Sequence, residues 1–489
     1  MSGHQGISIF SFSGKMKVLH LSWIAFFITF MVWFNMAPLI SVIGDSLGLT
    51  TSELKTLMLL NVALTIPARV IIGMLTDKYG PRLVYALLLA ICSIPCFMFA
   101  LADTFEQAAI SRFLLGFIGA GFVVGIRMVS EWFPANELGT AEGIYGGWGN
   151  FGSAAAAMAL PTLALLFGGE DGWRYAVGFT GLLSLLFSFV WYANVTDTPK
   201  GSTYFKPKQT GAMEVTSKGD FFLLLIMKLP MYGALALLTW KLSPAGVSLL
   251  TEQNAIFAYI GLVLLFIFEV RQTIKVNGHI FTTPVPKIHR YEFKQVAVLN
   301  ILYFATFGSE LAVVSMLPLF FADTFSLDMV YAAMLASTYA FMNLMSRPGG
   351  GWLSDRFGRK KTLLILTAGL AVGYFAMSMI DSSWSIALAV ITAMACSFFV
   401  QAGEGAVFAA VPLIKRRLTG QIAGMTGAYG NVGAVVYLTV LTMVDYSTFF
   451  LVIATTAVGG FITLLFMQEP KGTIAEVNAD GTVELINVS

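Results

Sequence analysis

Charge is scarce in this sequence. Asp, Glu, Lys and Arg supply 11% of its 489 residues against 57% hydrophobic, and the mean hydropathy is +0.78. So little charge cannot clothe a soluble protein of this length, which excludes a soluble enzyme and leaves a polytopic membrane protein. What charge there is nearly cancels, at net +2, and no basic run suited to nucleic acid occurs. Histidine is limited to four residues, with no Ser-His, His-rich or metal-ligand constellation, so neither a membrane enzyme nor a metal or other cofactor is expected. The three cysteines, Cys92, Cys96 and Cys396, all fall in apolar segments and read as packing residues. A cleavable leader is also missing. Lys15 and Lys17 precede an apolar run that starts near Leu19, extends about 25 residues and has no small-residue cleavage site, so it reads as a first membrane span.

Long apolar runs are abundant. Windows at 19–43, 54–76, 83–101, 105–133, 142–167 and 175–195 predict six spans, and a second six follow at 295–321, 328–353, 361–381, 385–413, 422–443 and 448–467. Loops holding Lys78 and Arg82, Arg356 to Lys361, and Lys415 to Arg417 gather positive charge on one side. Gly44 to Thr51, Gly168 to Asp171 and Asp381 to Trp384 do not. The positive-inside rule therefore predicts a multi-pass membrane protein with both termini in the cytoplasm.

One pattern occurs twice. Arg69 is followed after four residues by Gly73, after eight by Asp77 and after eleven by Gly80; Arg347, Gly351, Asp355 and Gly358 repeat that spacing. At about 1.5 Å per residue an arginine eight positions before an interfacial Asp lies roughly 12 Å deep, near the middle of a hydrocarbon core about 30 Å thick. A cation there costs about 2.5 to 3.5 kcal/mol even on insertion-derived scales, so it faces the bundle interior and wants an anionic partner.

The halves echo one another elsewhere. Met36 to Leu39 parallels Met316 to Leu319, and the glycine-rich run Gly143 to Gly152, ending Gly149-Asn150-Phe151-Gly152, parallels Gly424 to Gly433, ending Gly430-Asn431-Val432-Gly433. This predicts an all-α membrane fold of two pseudo-symmetric six-helix bundles, 1–197 and 294–468, with a linker at 198–293 and a cytoplasmic tail at 469–489. The linker carries apolar stretches at 221–242 and 254–274, flanked by Lys206, Lys208, Lys218, Arg271, Lys275 and Lys287. Both bundles must begin on the cytoplasmic side, so this insert crosses twice as a hairpin or lies on the surface. Its length favours crossing, while Lys228, Pro230 and Glu269 speak for an interfacial pair. The polar tail after Gln468 reads as a solvated extension.

The loop motifs, Gly73-x-x-x-Asp77-x-x-Gly80-x-Arg82 and Gly351-x-x-x-Asp355-x-x-Gly358-Arg359-Lys360, resemble those of the major facilitator superfamily, as does Arg112-x-x-x-Gly116-x-x-Gly119-x-Gly121. The paired glycine-asparagine runs, the arginine in each second helix and Tyr303 to Glu310 resemble more narrowly the nitrate/nitrite porter family, above all its cyanobacterial-type nitrate permeases. The resemblance implies that Arg69 and Arg347 bind nitrate, that Tyr303 donates a hydrogen bond, and that Phe122 and Phe307 sandwich the planar anion. Forked planar guanidiniums suit a flat trigonal oxyanion better than lysine does. It also implies that Gly73, Asp77, Gly80 and Arg82, with Gly351, Asp355, Gly358 and Arg359, form the gating loops. Asn150 and Asn431 either help hold the anion or cross-link helices, and the glycines around them read as close-packing positions.

Tyr303, Phe307 and Glu310 follow an i, i+4, i+7 spacing and share a helix face. Glu310 and Glu404 have no obvious local partner; each either carries a coupling proton or neutralises a nearby arginine. Arg127 and Glu131 read as a structural pair with the Asp77 loop, and Arg112 as a residue holding backbone carbonyls or taking part in coupling. The expectation is secondary active import of nitrate, and of nitrite, by proton symport in a lipid bilayer, by a chain working as a monomer. A nitrate/nitrite antiporter is the first alternative; an organophosphate or phosphate antiporter and a nitrate sensor are further ones.

Overall fold

The computed structural model describes residues 7–168, 171–209, 211–246, 248–283, 285–286, 289–327, 329–477 and 483–487. Lys287 lies outside them, and the 168–171 loop is described only at its two ends. The first bundle contains α1 (Gly14–Trp33), α2 (Ile40–Leu47), α3 (Thr51–Ala63), α4 (Thr65–Tyr79), α5 (Pro81–Ala100), α6 (Phe105–Leu115), α7 (Gly121–Trp132), α8 (Ala135–Phe167) and α9 (Gly172–Asn194). Then come α10 (Lys218–Leu242) and α11 (Glu252–Asn277). The second bundle contains α12 (Phe293–Phe325), α13 (Met329–Phe341), α14 (Asn343–Phe357), α15 (Arg359–Ser378), α16 (Ile386–Ala410), α17 (Thr419–Leu441) and α18 (Tyr446–Leu464). Short breaks join α1 to α2, α3 to α4, α6 to α7 and α13 to α14 into single membrane segments. This makes six segments per bundle and two between.

Among the described residues, twelve helical segments are long and apolar enough to cross a membrane, α10 and α11 included. The segments outside that set are α13–α14 and α17, where Asn343 and Arg347, and the glycines with Asn431, dilute the apolar character. These same residues line the centre of the molecule. The predicted spans fall on the helices, with two differences at their edges. The fifth begins at Ala135, seven residues before the apolar window opens at 142, because its first two turns are buried against the other bundle. The eighth is broken at Met342, just before Asn343.

Glycine sets the corner between α4 and α5 and again between α14 and α15. Gly80 (φ 90°, ψ 148°) and Gly358 (φ 96°, ψ 147°) adopt the same conformation, closed to ordinary side chains. At each corner a carboxylate from the end of the bundle caps the next helix. Asp197 accepts from the Arg82 N–H at 2.8 Å, and Glu469 accepts from the N–H groups of Arg359 and Lys360, both at 2.7 Å. Burial pushes the Asp197 carboxyl up, and the Arg82 N–H and charge oppose that shift.

The inserted pair forms a helical hairpin. α10 packs on α17 and α12, whereas α11 touches mainly α10 and leaves most of its apolar surface outward. Lys228 and Glu269, the residues that spoke against crossing, pair with each other at 2.8 Å, so neither stands on the hairpin as a lone charge.

The tail is not the solvated extension its polarity implies. β1 (Thr473–Val477) and β2 (Val483–Asn487) form an antiparallel hairpin in which Ala475 pairs with Leu485. Glu476 is fully buried and meets the Lys415 ammonium at 3.1 Å, while Lys415 also donates to the Ala475 carbonyl at 3.2 Å. Burial pushes the Lys415 ammonium below the ordinary lysine value, and Glu476 works against that shift. The hydrophilic sequence hid a buried ion pair because its partner lies some sixty residues earlier, in the loop between α16 and α17.

Candidate functional site

Arg69 and Arg347 leave α4 and α14 at the middle of the molecule, each 1% exposed. Arg69 is held by backbone only, its Nε donating to the Gly119 carbonyl at 3.2 Å and its Nη1 to the Gly427 carbonyl at 2.7 Å. Arg347 donates through Nη2 to the Tyr303 hydroxyl at 3.0 Å and pairs through Nη1 with Glu404 Oε2 at 2.7 Å. Only one of the two cations is therefore in contact with an acid.

Phe122 and Phe307 border both guanidiniums. The Arg69 guanidinium carbon lies 5.7 Å from the Phe122 ring centre and 5.2 Å from that of Phe307; for Arg347 the distances are 5.3 and 6.0 Å. In a water-free setting each such contact is worth up to about 2 kcal/mol, which eases the burial of two cations. Tyr303 stacks on Phe307 at 5.1 Å and lies parallel to Phe122 at 6.4 Å. The i, i+4 relation read from the sequence is thus a physical stack.

Glu310 continues that face, but it is not without a partner. Its Oε1 accepts from the Asn343 amide and from Gln401 Nε2 at 3.3 Å, and its charge is felt at Glu404. Glu404 is not without a partner either, being the acid on Arg347. Sequence could not show these contacts, because α12, α14 and α16 meet only in the folded bundle. Two carboxyls this close repel each other when both are ionised.

The glycine runs let the bundles interlock. A side chain at Gly427 would meet Arg69 Cδ at 3.1 Å, and one at Gly146 would meet Arg347 Nε at 2.7 Å, so each arginine passes across a glycine of the opposite bundle. Asn431 lies in the same layer, its Nδ2 at 3.5 Å from the Gly427 carbonyl that also accepts from Arg69. Asn150 is buried in α8 with its Oδ1 unpartnered, and among the described residues no hydrogen bond joins it to either arginine.

Each loop aspartate reaches across to the other bundle. Asp77 accepts from the N–H groups of Gly420 and Gln421, both at 2.8 Å, at the start of α17. Asp355 accepts from Gly139 and Thr140 in the first turns of α8, at 2.8 and 2.7 Å. Together they hold one end of the molecule shut. Arg127 reinforces the first clasp, 3.6 Å from Asp77 and 2.9 Å from Glu131, and Arg112 holds the Trp33 carbonyl at 3.2 Å and Asn35 at 3.0 Å. Both match their structural readings.

Four further residues belong to this centre. Phe408 stands edge-on to Phe122 at 4.6 Å and to Tyr303 at 4.8 Å. Tyr145 donates from its hydroxyl to the Gly121 and Phe122 carbonyls at 3.0 Å, fixing the backbone of that ring. Asn343 and Gln401 complete the carboxyl network. Asn343 lies four residues before Arg347 and Phe408 four after Glu404, so helical spacing from the charged residues was the available signal.

Two facing six-helix bundles that share a buried, charged central layer have the architecture of a membrane transporter. Residues 22–286 and 299–485 match the Major Facilitator Superfamily, and the chain belongs to that family. Among its relatives, the nitrate/nitrite transporter NrtP of Picosynechococcus sp. is 47% identical over 98% of this chain and 97% of its own length. NrtP of Nostoc punctiforme is 46% identical over 96% and 95%. The proton:xylose symporter XylE superposes with a TM-score of 0.60 at 15% identity, over 93% of this chain and 96% of XylE, a likeness of fold.

Proposed function

We propose that this chain imports nitrate, and nitrite, across a cyanobacterial plasma membrane by proton symport, with both termini in the cytoplasm and a single chain as the working unit. Its two bundles rock about the central layer. The observation that carries this reading is the Glu404–Arg347 contact beside a second, acid-free arginine between the same two phenyl rings. An anion arriving between Arg69 and Arg347 competes with Glu404 for Arg347 Nη1. A proton on the Glu310–Glu404 pair removes that competition, so proton and anion bind each other's loaded form more tightly. Tyr303, Asn150 and Asn431 serve as neutral hydrogen-bonding groups around the anion, and Phe122 and Phe307 cover its faces. The names of the two cyanobacterial relatives support the choice of anion.

The energetics ask for a coupling ion. Moving one anion inward against an inside-negative potential costs about 2.3 kcal/mol per 100 mV. One proton cancels that charge, and two make the step driven inward. Exchange for internal nitrite is also electroneutral and needs no titratable carboxyl. Uptake into proteoliposomes under an imposed inward proton gradient, compared with nitrite-loaded vesicles lacking one, separates the two. Gradient-driven accumulation that Glu310→Gln abolishes is expected. Uptake that depends only on internal nitrite would make the protein an exchanger and Glu404 a static counter-charge.

A further inference from the structure

Seven residues of α8 separate the Asp355 clasp from the central layer, and Glu142 lies among them. It follows Gly139 and Thr140, whose N–H groups hold Asp355, and precedes Gly143, which rests on the Arg347 carbonyl, and Gly146, which faces Arg347 Nε. At about 1.5 Å per residue it stands roughly 4.5 Å beyond the clasp and 6 Å short of the level of the arginine. Its side chain is buried, and neither carboxyl oxygen has a hydrogen-bond partner. Among the described residues every other buried carboxylate has an ion pair or a hydrogen bond: Asp77, Glu131, Glu214, Glu310, Glu404 and Glu476.

The charges around Glu142 are engaged elsewhere. Arg416, Arg347 and Asp355 reach it through their fields without touching it, as does Tyr145 on its own helix. Arg347 is held by Glu404, Arg416 by Glu131 at 3.5 Å, and Asp355 by α8 and by Arg359 at 2.9 Å. On the helices packed against α8, Glu404 of α16 is paired with Arg347, Glu131 of α7 with Arg127, and Lys15 of α1 with Glu137. An ionised carboxylate with no contact partner in such a place is strongly disfavoured against the neutral acid.

We propose that Glu142 is the proton-release station on the cytoplasmic side of the transport path. With the clasps shut it holds a proton; when Asp355 lets go of Gly139 and Thr140, water reaches the carboxyl, the proton leaves to the cytoplasm, and Arg416 faces the resulting anion. The inference rests on the symport reading and adds a second protonatable group below the Glu310–Glu404 pair. No metal, redox partner or covalent step is involved; one O–H bond is broken and one proton is passed to water.

The test compares wild type, Glu142→Gln and Glu142→Asp in proteoliposomes, each assayed for accumulation under a proton gradient and for exchange of labelled against unlabelled nitrate without one. Exchange returns the carrier loaded and needs no net proton release. Glu142→Gln is expected to keep exchange and lose gradient-driven accumulation, and Glu142→Asp to recover accumulation with an altered dependence on internal pH. Accumulation by Glu142→Gln at the wild-type level overturns the proposal, and so does equal loss of both activities in Gln and Asp variants that remain folded by thermal melting. A wild type that ignores the gradient overturns the symport reading itself, and the station with it.

Discussion

Arg69 and Arg347 occupy equivalent places in a repeated sequence yet are neutralised differently, one by two carbonyls and the other by a tyrosine and a carboxylate. Under the proposed function that asymmetry gives them different tasks: Arg69 supplies standing attraction for the anion, and Arg347 responds to the charge on Glu404. Hydrogen bonds to a charged group contribute about 1.5 to 3 kcal/mol, so replacing a forked guanidinium by a point charge is expected to weaken nitrate binding about 10- to 150-fold. Equilibrium binding to purified Arg69→Lys and Arg347→Lys checks this, with thermal melting as the folding control. Normal affinity in either variant would remove that arginine from the site. Arg347→Lys is further expected to alter the pH dependence of binding, since it disturbs Glu404, whereas Arg69→Lys is not.

Among the elements, the C-terminal hairpin has the least expected role. β1 seats Glu476 on Lys415, while Arg417 in the same loop meets Glu214 of the linker at 2.9 Å and Arg416 meets Glu131 of α7. The loop between α16 and α17 is thus held from three directions, directly before the residues that cap Asp77. Ending the chain after Lys471 keeps Glu469 at the start of α15 but leaves the Lys415 ammonium without its carboxylate. Faster hydrogen exchange in residues 411–421 is the expected result; unchanged protection would show that the hairpin merely rests on the surface. The inserted α10–α11 hairpin is bound more simply, with Tyr429 of α17 donating to the Met227 carbonyl at 2.6 Å.

For the whole molecule, the decisive feature is that both clasps lie at one end. Asp77 on α17 and Asp355 on α8 are the same contact made twice, so the closed end depends on four charge-assisted backbone hydrogen bonds. Neutral amides make bonds about half as strong, and the double variant Asp77→Asn with Asp355→Asn is expected to move the population toward a form open at that end. Spin labels at Lys78 and Lys361, one per bundle, would read this as a longer distance distribution. An unchanged distribution would place the closing energy in the glycine-lined helix contacts instead.

How much of this was legible beforehand follows from which interactions are local. Apolar run length and the cost of a buried cation are properties of short segments, so the sequence alone determined the two six-helix bundles, the inserted hairpin, the burial of both arginines and the shared face of Tyr303, Phe307 and Glu310. Contacts between segments far apart in the chain have no such signature. Only the tertiary structure decided that Glu404 sits on Arg347, that Glu310 leans on Asn343 and Gln401, that Glu142 has no partner, and that a polar tail buries Glu476. In each case the outcome turns on which helix faces which, and that is fixed by the packing of whole bundles against one another, where a buried charge is stable only if the fold brings its counterpart within reach.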